Sequence, residues 1–318
     1  MERPAQTSVS EKMREAARGI RAHLERDIVP FWEARAIDSE HGGYHTGFDE
    51  QGRATGTAGK YLNTQCRLLW WFSTLARTGR DPVANLARAR QGFGFLRSRF
   101  LDRTHGGWFW KTARDGTCVD DGKVVYGQSF AIYALAEFAI ASGDVEARRL
   151  AVGTFDALQR HCLDTGRGGY LENMEVDWTP SPAGFCAGDR KSLDTHMHLL
   201  ESFTTLFALT GDPVHRDALL GVARLIRDRM IDPKAGCGRN QFDLDWNPIP
   251  AIAIRRTWNA ERTGESPATP TDTTSYGHNV ELAWLLRRAL AVAGGDAGGP
   301  RQRDEERIDV GALAVQVV

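Results

Sequence analysis

The sequence predicts an all-α protein, a toroid of helix-pair repeats that is incomplete at its C-terminal end. Three observations carry this. A Gly-Gly-aromatic loop recurs at near-constant spacing, each loop leads into a long apolar segment, and each such segment ends in a Gly-Asp type stop. The loop reads His41-Gly42-Gly43-Tyr44, His105-Gly106-Gly107-Trp108 and Arg167-Gly168-Gly169-Tyr170, with a blurred fourth copy in Ala235-Gly236-Cys237-Gly238. Counted on the second glycine, and on Gly238 in the last copy, the steps are 64, 62 and 69 residues. A fixed period of this size marks a repeat architecture.

The elements follow in order. An outer helix is expected over about Ser10 to Trp32. The first inner helix begins after Lys60 and ends at the stop Thr78-Gly79-Arg80-Asp81-Pro82. Glycine at the end of an apolar run, with proline soon after, is a helix C-terminus signal. Val83 to Phe100 carries charges at helical spacing and reads as an amphipathic outer helix. The second unit has Val124 to Ser142 inside and Val145 to His161 outside; the third has Leu193 to Thr210 and Val214 to Met230. A fourth inner helix runs from Ser275 to about Ala293, and strand-like alternation is confined to short pieces such as Gly107 to Thr112. Inner segments apolar around most of the wheel are buried on most sides. That favours a ring of two helix layers over an open solenoid. Six pairs at this period would need roughly 380–400 residues. The expectation is therefore a barrel domain over 1–293 and an atypical tail over 294–318.

Composition narrows the function. Forty basic side chains against 41 acidic ones leave a net charge of −1, so there is no general attraction to nucleic acid or anionic membrane. No apolar run approaches the ~18–20 residues of a membrane span, and Met1 to Ile20 lacks the apolar core of a secretory signal. The five cysteines are scattered, odd in number and without a CxxC pair, which argues against a disulfide scaffold or a zinc site. A cytoplasmic protein without metal or cofactor is expected, and the sequence admits a homodimer.

Polar groups on otherwise buried helices are costly unless paired, so they mark candidate chemistry. They fall in the N-terminal half of every inner helix: Arg67; Lys123, Tyr126 and Gln128; Asp194, His196, His198 and Glu201; His278 and Glu281. Parallel inner helices would gather them at one end of the ring, rimmed by the loop aromatics, in a pocket suited to a neutral polyol such as a sugar. Asp194 and His198 are i,i+4 and share a helix face; His278 and Glu281, at i,i+3, allow the same pairing. A carboxylate beside an imidazole fixes its tautomer and keeps it useful for acid–base work. His196 and His198 are roughly 200° apart on the helix and cannot both face one metal. Trp108, Trp110, Trp178 and Trp246 lie near the loops and are candidates for stacking on sugar; Trp70, Trp71 and Trp284 read as core. Asp243 and Asp245 read as turn residues.

Four stretches resemble the N-acylglucosamine 2-epimerase superfamily, which includes cellobiose 2-epimerases and mannose isomerases. They are Lys60 to Phe72 with Arg67, Lys123-Val124-Val125-Tyr126-Gly127-Gln128-Ser129-Phe130, Asp194-Thr195-His196-Met197-His198-Leu199-Leu200-Glu201, and Ser275-Tyr276-Gly277-His278-Asn279-Val280-Glu281. The resemblance implies an (α/α)6 barrel that opens an aldose and moves the proton on C2 through an enediolate. It implies that Arg67 contacts the sugar near its carbonyl end, His198 binds and polarises it, His278 is an acid–base residue supported by Glu281, and Tyr126 lines the pocket. Gln128, Asp194 and Trp110 complete the expected substrate-binding set. The chain departs from the family in having Asp194 where asparagine is usual and Asn279 where aspartate is common. Nothing in Gly294 to Val318 matches the family's late acid–base histidine, so a shortened or chemically altered member is expected. Two other readings fit the composition: a glycoside hydrolase drawing two carboxylates from Asp194, Glu281 and Asp243, and a non-catalytic open ring with exposed apolar inner faces.

Overall fold

The Gly-Asp stops set the alternation of the two layers. In the second and third units the glycine takes up left-handed backbone at the end of the inner helix, Gly143 at φ 71° and Gly211 at φ 65°. The aspartate that follows caps the outer helix, Asp144 accepting from Ala147 N at 2.9 Å and Asp212 from Val214 N at 2.9 Å. An oxygen at this position satisfies one of the orphan amides of a helix start. The computed structural model describes residues 9–56, 59–256, 270–271 and 274–294.

Among these residues the helices are α1 (Val9–His23), α2 (Val29–Arg35), α3 (Leu62–Arg77), α4 (Pro82–Phe95), α5 (Val125–Ser142), α6 (Val145–His161), α7 (Leu193–Thr210), α8 (Pro213–Leu225) and α9 (Tyr276–Gly294). Inner helices α3, α5, α7 and α9 lie side by side in that order, with α4, α6 and α8 each packed outside its partner. Helix α5 is enclosed, with every residue from Val125 to Ala139 buried. The tail that the sequence sets apart, beyond Gly294, lies outside the described residues.

The stretch expected as a helix over Ser10 to Trp32 is helical throughout, with one widened turn, Leu24–Ile28, where α1 passes into α2. Residues 11–27 of this stretch are exposed all round, and Val29 is the first to enter the core. One expectation is corrected, and it concerns register. Gly236 N bonds to Asp232 O as Gly42 N does to Asp38 O, so Gly238 occupies the aromatic's place and Cys237 the second glycine's.

The loops are built alike. The lysine before each of the first three inner helices is buried and paired: Lys60 to Asp38 at 3.0 Å, Lys123 to Asp102 at 2.7 Å, Lys191 to Asp164 at 2.8 Å. Two of these ammonium groups also reach a loop carbonyl, Gly42 O at 2.5 Å and Gly168 O at 2.7 Å. A buried ion pair repays its desolvation only with such extra bonds.

Each of the first three loops is roofed by the hairpin of the next unit. Arg114 reaches back to Asp38 at 3.0 Å, Trp178 Nε1 donates to His105 O at 2.9 Å, and Trp246 Nε1 donates to Arg167 O at 2.7 Å. Trp178 and Trp246 hold left-handed backbone, φ 68° and 70°, where the corresponding hairpins of the first two units have Gly52 and Gly116. The indole faces lie against Gly107 and Gly169, where any side chain would collide with them. Short antiparallel pairs complete the join, Lys60–Tyr61 with Lys111–Thr112, Lys123–Val124 with Asn173–Met174, and Arg190–Ser192 with Gln241–Asp243.

Candidate active site

The inner helices present two faces with different duties, and the residues repeat from helix to helix. One position on each helix reaches for its own unit's loop. Gln65 accepts from Tyr44 N at 2.8 Å, Gln128 from Trp108 N at 3.0 Å, His196 from Tyr170 N at 3.0 Å, and Asn279 from Gly238 N at 2.7 Å. Two residues further on, about 200° around the helix, stand Arg67, Phe130, His198 and Glu281. All four line a central cavity of about 550 Å³. The positions four before and three after complete the stripe, with Asn63 and Tyr126 on one side and Trp70, Tyr133, Glu201 and Trp284 on the other. This i, i+4, i+7 pattern is one helix face.

At the loop end the cavity narrows to a cluster of ionisable groups. Arg67 of α3 lies over the Phe130 ring at 4.5 Å, and its Nη2 is 3.4 Å from the Tyr126 hydroxyl of α5. The buried imidazole of His198 packs edge-on to Tyr126 and against Phe130. Its two nitrogens face two carboxylates, Nδ1 at 3.1 Å from Glu201 Oε2 and Nε2 at 3.4 Å from Asp194 Oδ1. Burial alone would push this imidazole down, but the bonds and charges of Asp194 and Glu201 prevail and raise it to about 9. Burial likewise acts to raise Asp194, yet His198, His278 and Arg67 hold its carboxyl below the ordinary range. His278 of α9 brings Nε2 to 3.7 Å from the same Asp194 oxygen.

Beside this cluster a smaller cavity, about 200 Å³, is lined by Tyr126, Glu172, Asn173, Asp194, Gln241 and His278 among others. Glu172 is fully buried and accepts from Ser192 N at 2.6 Å and Thr195 Oγ1 at 2.7 Å. Its burial outweighs those bonds and raises the carboxyl to about 7. No sequence signal marked Glu172, which lies three residues beyond a Gly-Gly pair in otherwise irregular chain.

The structure thus brings Arg67, Tyr126, His198 and Glu281 to the larger cavity, and Tyr126, Asp194 and His278 to the smaller one beside it. It does not bring Gln128 or Trp110 there. The Gln128 amide is used on both sides by the Trp108 backbone and is fully buried. Trp110 lies behind Tyr126, 2 % exposed, packed against Tyr61 and Gly127. Trp108, Trp178 and Trp246 are spent on the loops through indole bonds to Thr154, His105 and Arg167. The aromatic wall is instead Trp32, Trp70, Trp71 and Trp284, three of which the sequence reads as core. The carboxylate beside His278 is Asp194 rather than Glu281. Asp243 is a turn residue, accepting from Asn247 and Asp245 amides, and lines neither cavity.

Two layers of helices around a polar, aromatic-walled hollow define an α/α-barrel protein whose ionisable cluster lies at the loop end of the ring. The chain matches the N-acylglucosamine 2-epimerase (GlcNAc 2-epimerase) family over residues 42–316 and belongs to that family. It is 30% identical over 286 residues to a cellobiose 2-epimerase of Bacteroides fragilis, covering 88% of this chain and 66% of that one. A mannose-6-phosphate isomerase of Rhizobium meliloti is 30% identical over 267 residues, covering 82% and 60%. Among solved structures, cellobiose 2-epimerase from Spirochaeta thermophila superposes with a TM-score of 0.76 at 32% identity, over 92% of this chain and 67% of that one. The chain therefore spans just under two thirds of the length of the relatives it matches. No helix among the described residues is long and apolar enough to cross a membrane.

Proposed function

We propose that the protein is a sugar epimerase or isomerase that moves the proton on C2 of an open-chain aldose. One observation carries the reading: Arg67, His198 and Glu281, from three different helices, line one aromatic-walled hollow, and His278 stands beside it at the smaller cavity, 3.7 Å from the Asp194 oxygen that also faces His198. Removing a proton next to a carbonyl requires a base at the carbon and donors for the oxyanion that develops. His278 is the base in this scheme. His198, held between two carboxylates, places a positive charge beside the sugar oxygen, and Arg67 is the hydrogen-bond donor to it. The faces of Trp70, Trp71 and Trp284 suit the apolar side of a pyranose ring, while Asn63 and Glu201 offer acceptors to its hydroxyls. Return of the proton to the opposite face of C2 gives the epimer, and its return to C1 gives the ketose.

The family likeness supports the same chemistry, since the relatives' names are those of cellobiose 2-epimerases and mannose isomerases. A reducing compartment such as the cytoplasm suits the five cysteines, all of them free. The test is incubation of the purified protein with mannose, glucose, N-acetylmannosamine or cellobiose in deuterated water. Deuterium at C2 or C1 of the product is the expected result. Well-folded protein that exchanges none of them would overturn the proposal.

A further inference from the structure

One oxygen of Asp194 serves two imidazoles that arrive on different helices. Its Oδ1 lies 3.4 Å from His198 Nε2 on α7 and 3.7 Å from His278 Nε2 on α9. His198 is held from the other side by Glu201, 3.1 Å from Nδ1. A neutral imidazole carries a single N–H, whereas here both ring nitrogens face carboxylate acceptors. The geometry therefore calls for the doubly protonated ring. The groups around it are Asp194 and Glu201 from α7, the hydroxyls of Tyr126 and Tyr133 from α5, Arg67 from α3, and His278 and Glu281 from α9. Within this set the two carboxylates bonded to the ring are the dominant influence, and both hold the proton in place.

We propose that Asp194 is a positioning residue shared by two histidines: one carboxylate oxygen keeps His198 in its hydrogen-bond-donating form and, from the same point, sets the orientation of His278 at the junction of the two cavities. The carboxylate acts through the rings. Where the proposal concerns turnover it rests on the sugar proton-transfer reading; the sharing itself does not. A carboxylate in this role fixes tautomer and ring direction, as outer partners of histidine ligands do elsewhere.

The experiment is a pH titration of the histidine rings by ¹⁵N NMR on the full chain, with Asp194→Asn, His278→Gln and His198→Gln also used to assign the signals. In the unaltered protein His198 is expected to keep both ring protons beyond pH 8. In Asp194→Asn its midpoint falls by about one unit or more, the size of shift an adjacent opposite charge produces, and the His278 ring signals move as well. A response from one ring alone, or from neither, overturns the sharing. Should Asp194→Asn fail to fold, His278→Gln decides the matter. Removal of His278 leaves Asp194 to His198 alone, so the His198 midpoint rises; an unchanged midpoint overturns the proposal. In the deuterium-exchange assay the alkaline limb of the rate–pH profile moves to lower pH in Asp194→Asn. The titration needs no turnover, so absence of exchange by the unaltered protein would sink the functional reading and leave the shared carboxylate standing.

Discussion

His196 and His198 stand two residues apart on α7, both buried, and their surroundings drive them in opposite directions. His196 faces the loop, accepting from Tyr170 N at 3.0 Å, with its other nitrogen 2.7 Å from Ser192 O. Burial takes its pKa down to about 4, against the opposing pull of the Ser192 carbonyl. His198 faces the cavity between two carboxylates and rises to about 9. The residue type is the same; the helix face decides whether it is a neutral strut or a charged donor. The same division runs through the ring, with Gln65, Gln128, His196 and Asn279 on one face and Arg67, Phe130, His198 and Glu281 on the other. Side chains on the loop face hold the architecture, and those on the cavity face line the hollow.

Three substitutions would break or sharpen that division. The largest effect is expected from His198→Gln, which should lower the rate of C2 deuterium exchange by roughly 10²–10⁴-fold, the usual worth of an acid–base or donor group. Its melting curve and far-ultraviolet spectrum should remain those of a folded protein. A comparable rate with His198→Gln would remove the cavity face from the chemistry.

Next comes Lys123→Met, which strands the buried Asp102 carboxylate without its ammonium partner. Breaking a buried pair on one side costs about 3–5 kcal/mol, so denaturant unfolding should register a loss of that order. A change below about 1 kcal/mol would mean that the loop does not depend on the pair.

The smallest effect belongs to His196→Gln, which installs the residue that holds the loop in the first two units. Stability near pH 7 should change by less than about 1 kcal/mol, and turnover per folded molecule should be unaffected. Its signature lies in acid. The folded pKa of His196 is below that of the unfolded chain, so its stabilisation is present above pH 6.5 and is lost as the pH falls towards 4. The full loss is on the order of 3 kcal/mol. In His196→Gln this part of the acid destabilisation should vanish from the unfolding midpoints. An identical pH dependence in the two proteins would show that the imidazole is not held neutral. The contribution of His198 has the opposite sense, full below pH 6.5 and fading as the pH rises through about 9.

Local signals in the sequence foretold a good deal of this. The apolar run from Leu193 to Thr210 and the amphipathic one from Val145 to His161 are helices with those ends, because glycine and aspartate there have backbone reasons to stop one helix and start another. Asp194 and His198 pair as their spacing requires. Rotation of each helix about its own axis was not legible. An inner helix apolar on every side gives no sign of which stripe faces a hollow, so Trp70 and Trp284 read as core and Gln128 as a site residue. The stripe emerges only when four helices are aligned and their cavity residues fall at equivalent positions. Trp178 and Trp246 were hidden for another reason. They adopt left-handed backbone that normally signals glycine, and they act on the unit before their own.

That backward reach gives the ring a direction. Arg114 secures the loop that precedes it, Trp178 the next, and Trp246 the one after. A lesion in one hairpin should therefore be felt towards the N-terminus, in the loop it covers, more than in the unit that follows. Order accumulates as each later stretch of chain locks down the earlier one, so the unit most recently added is always the least secured.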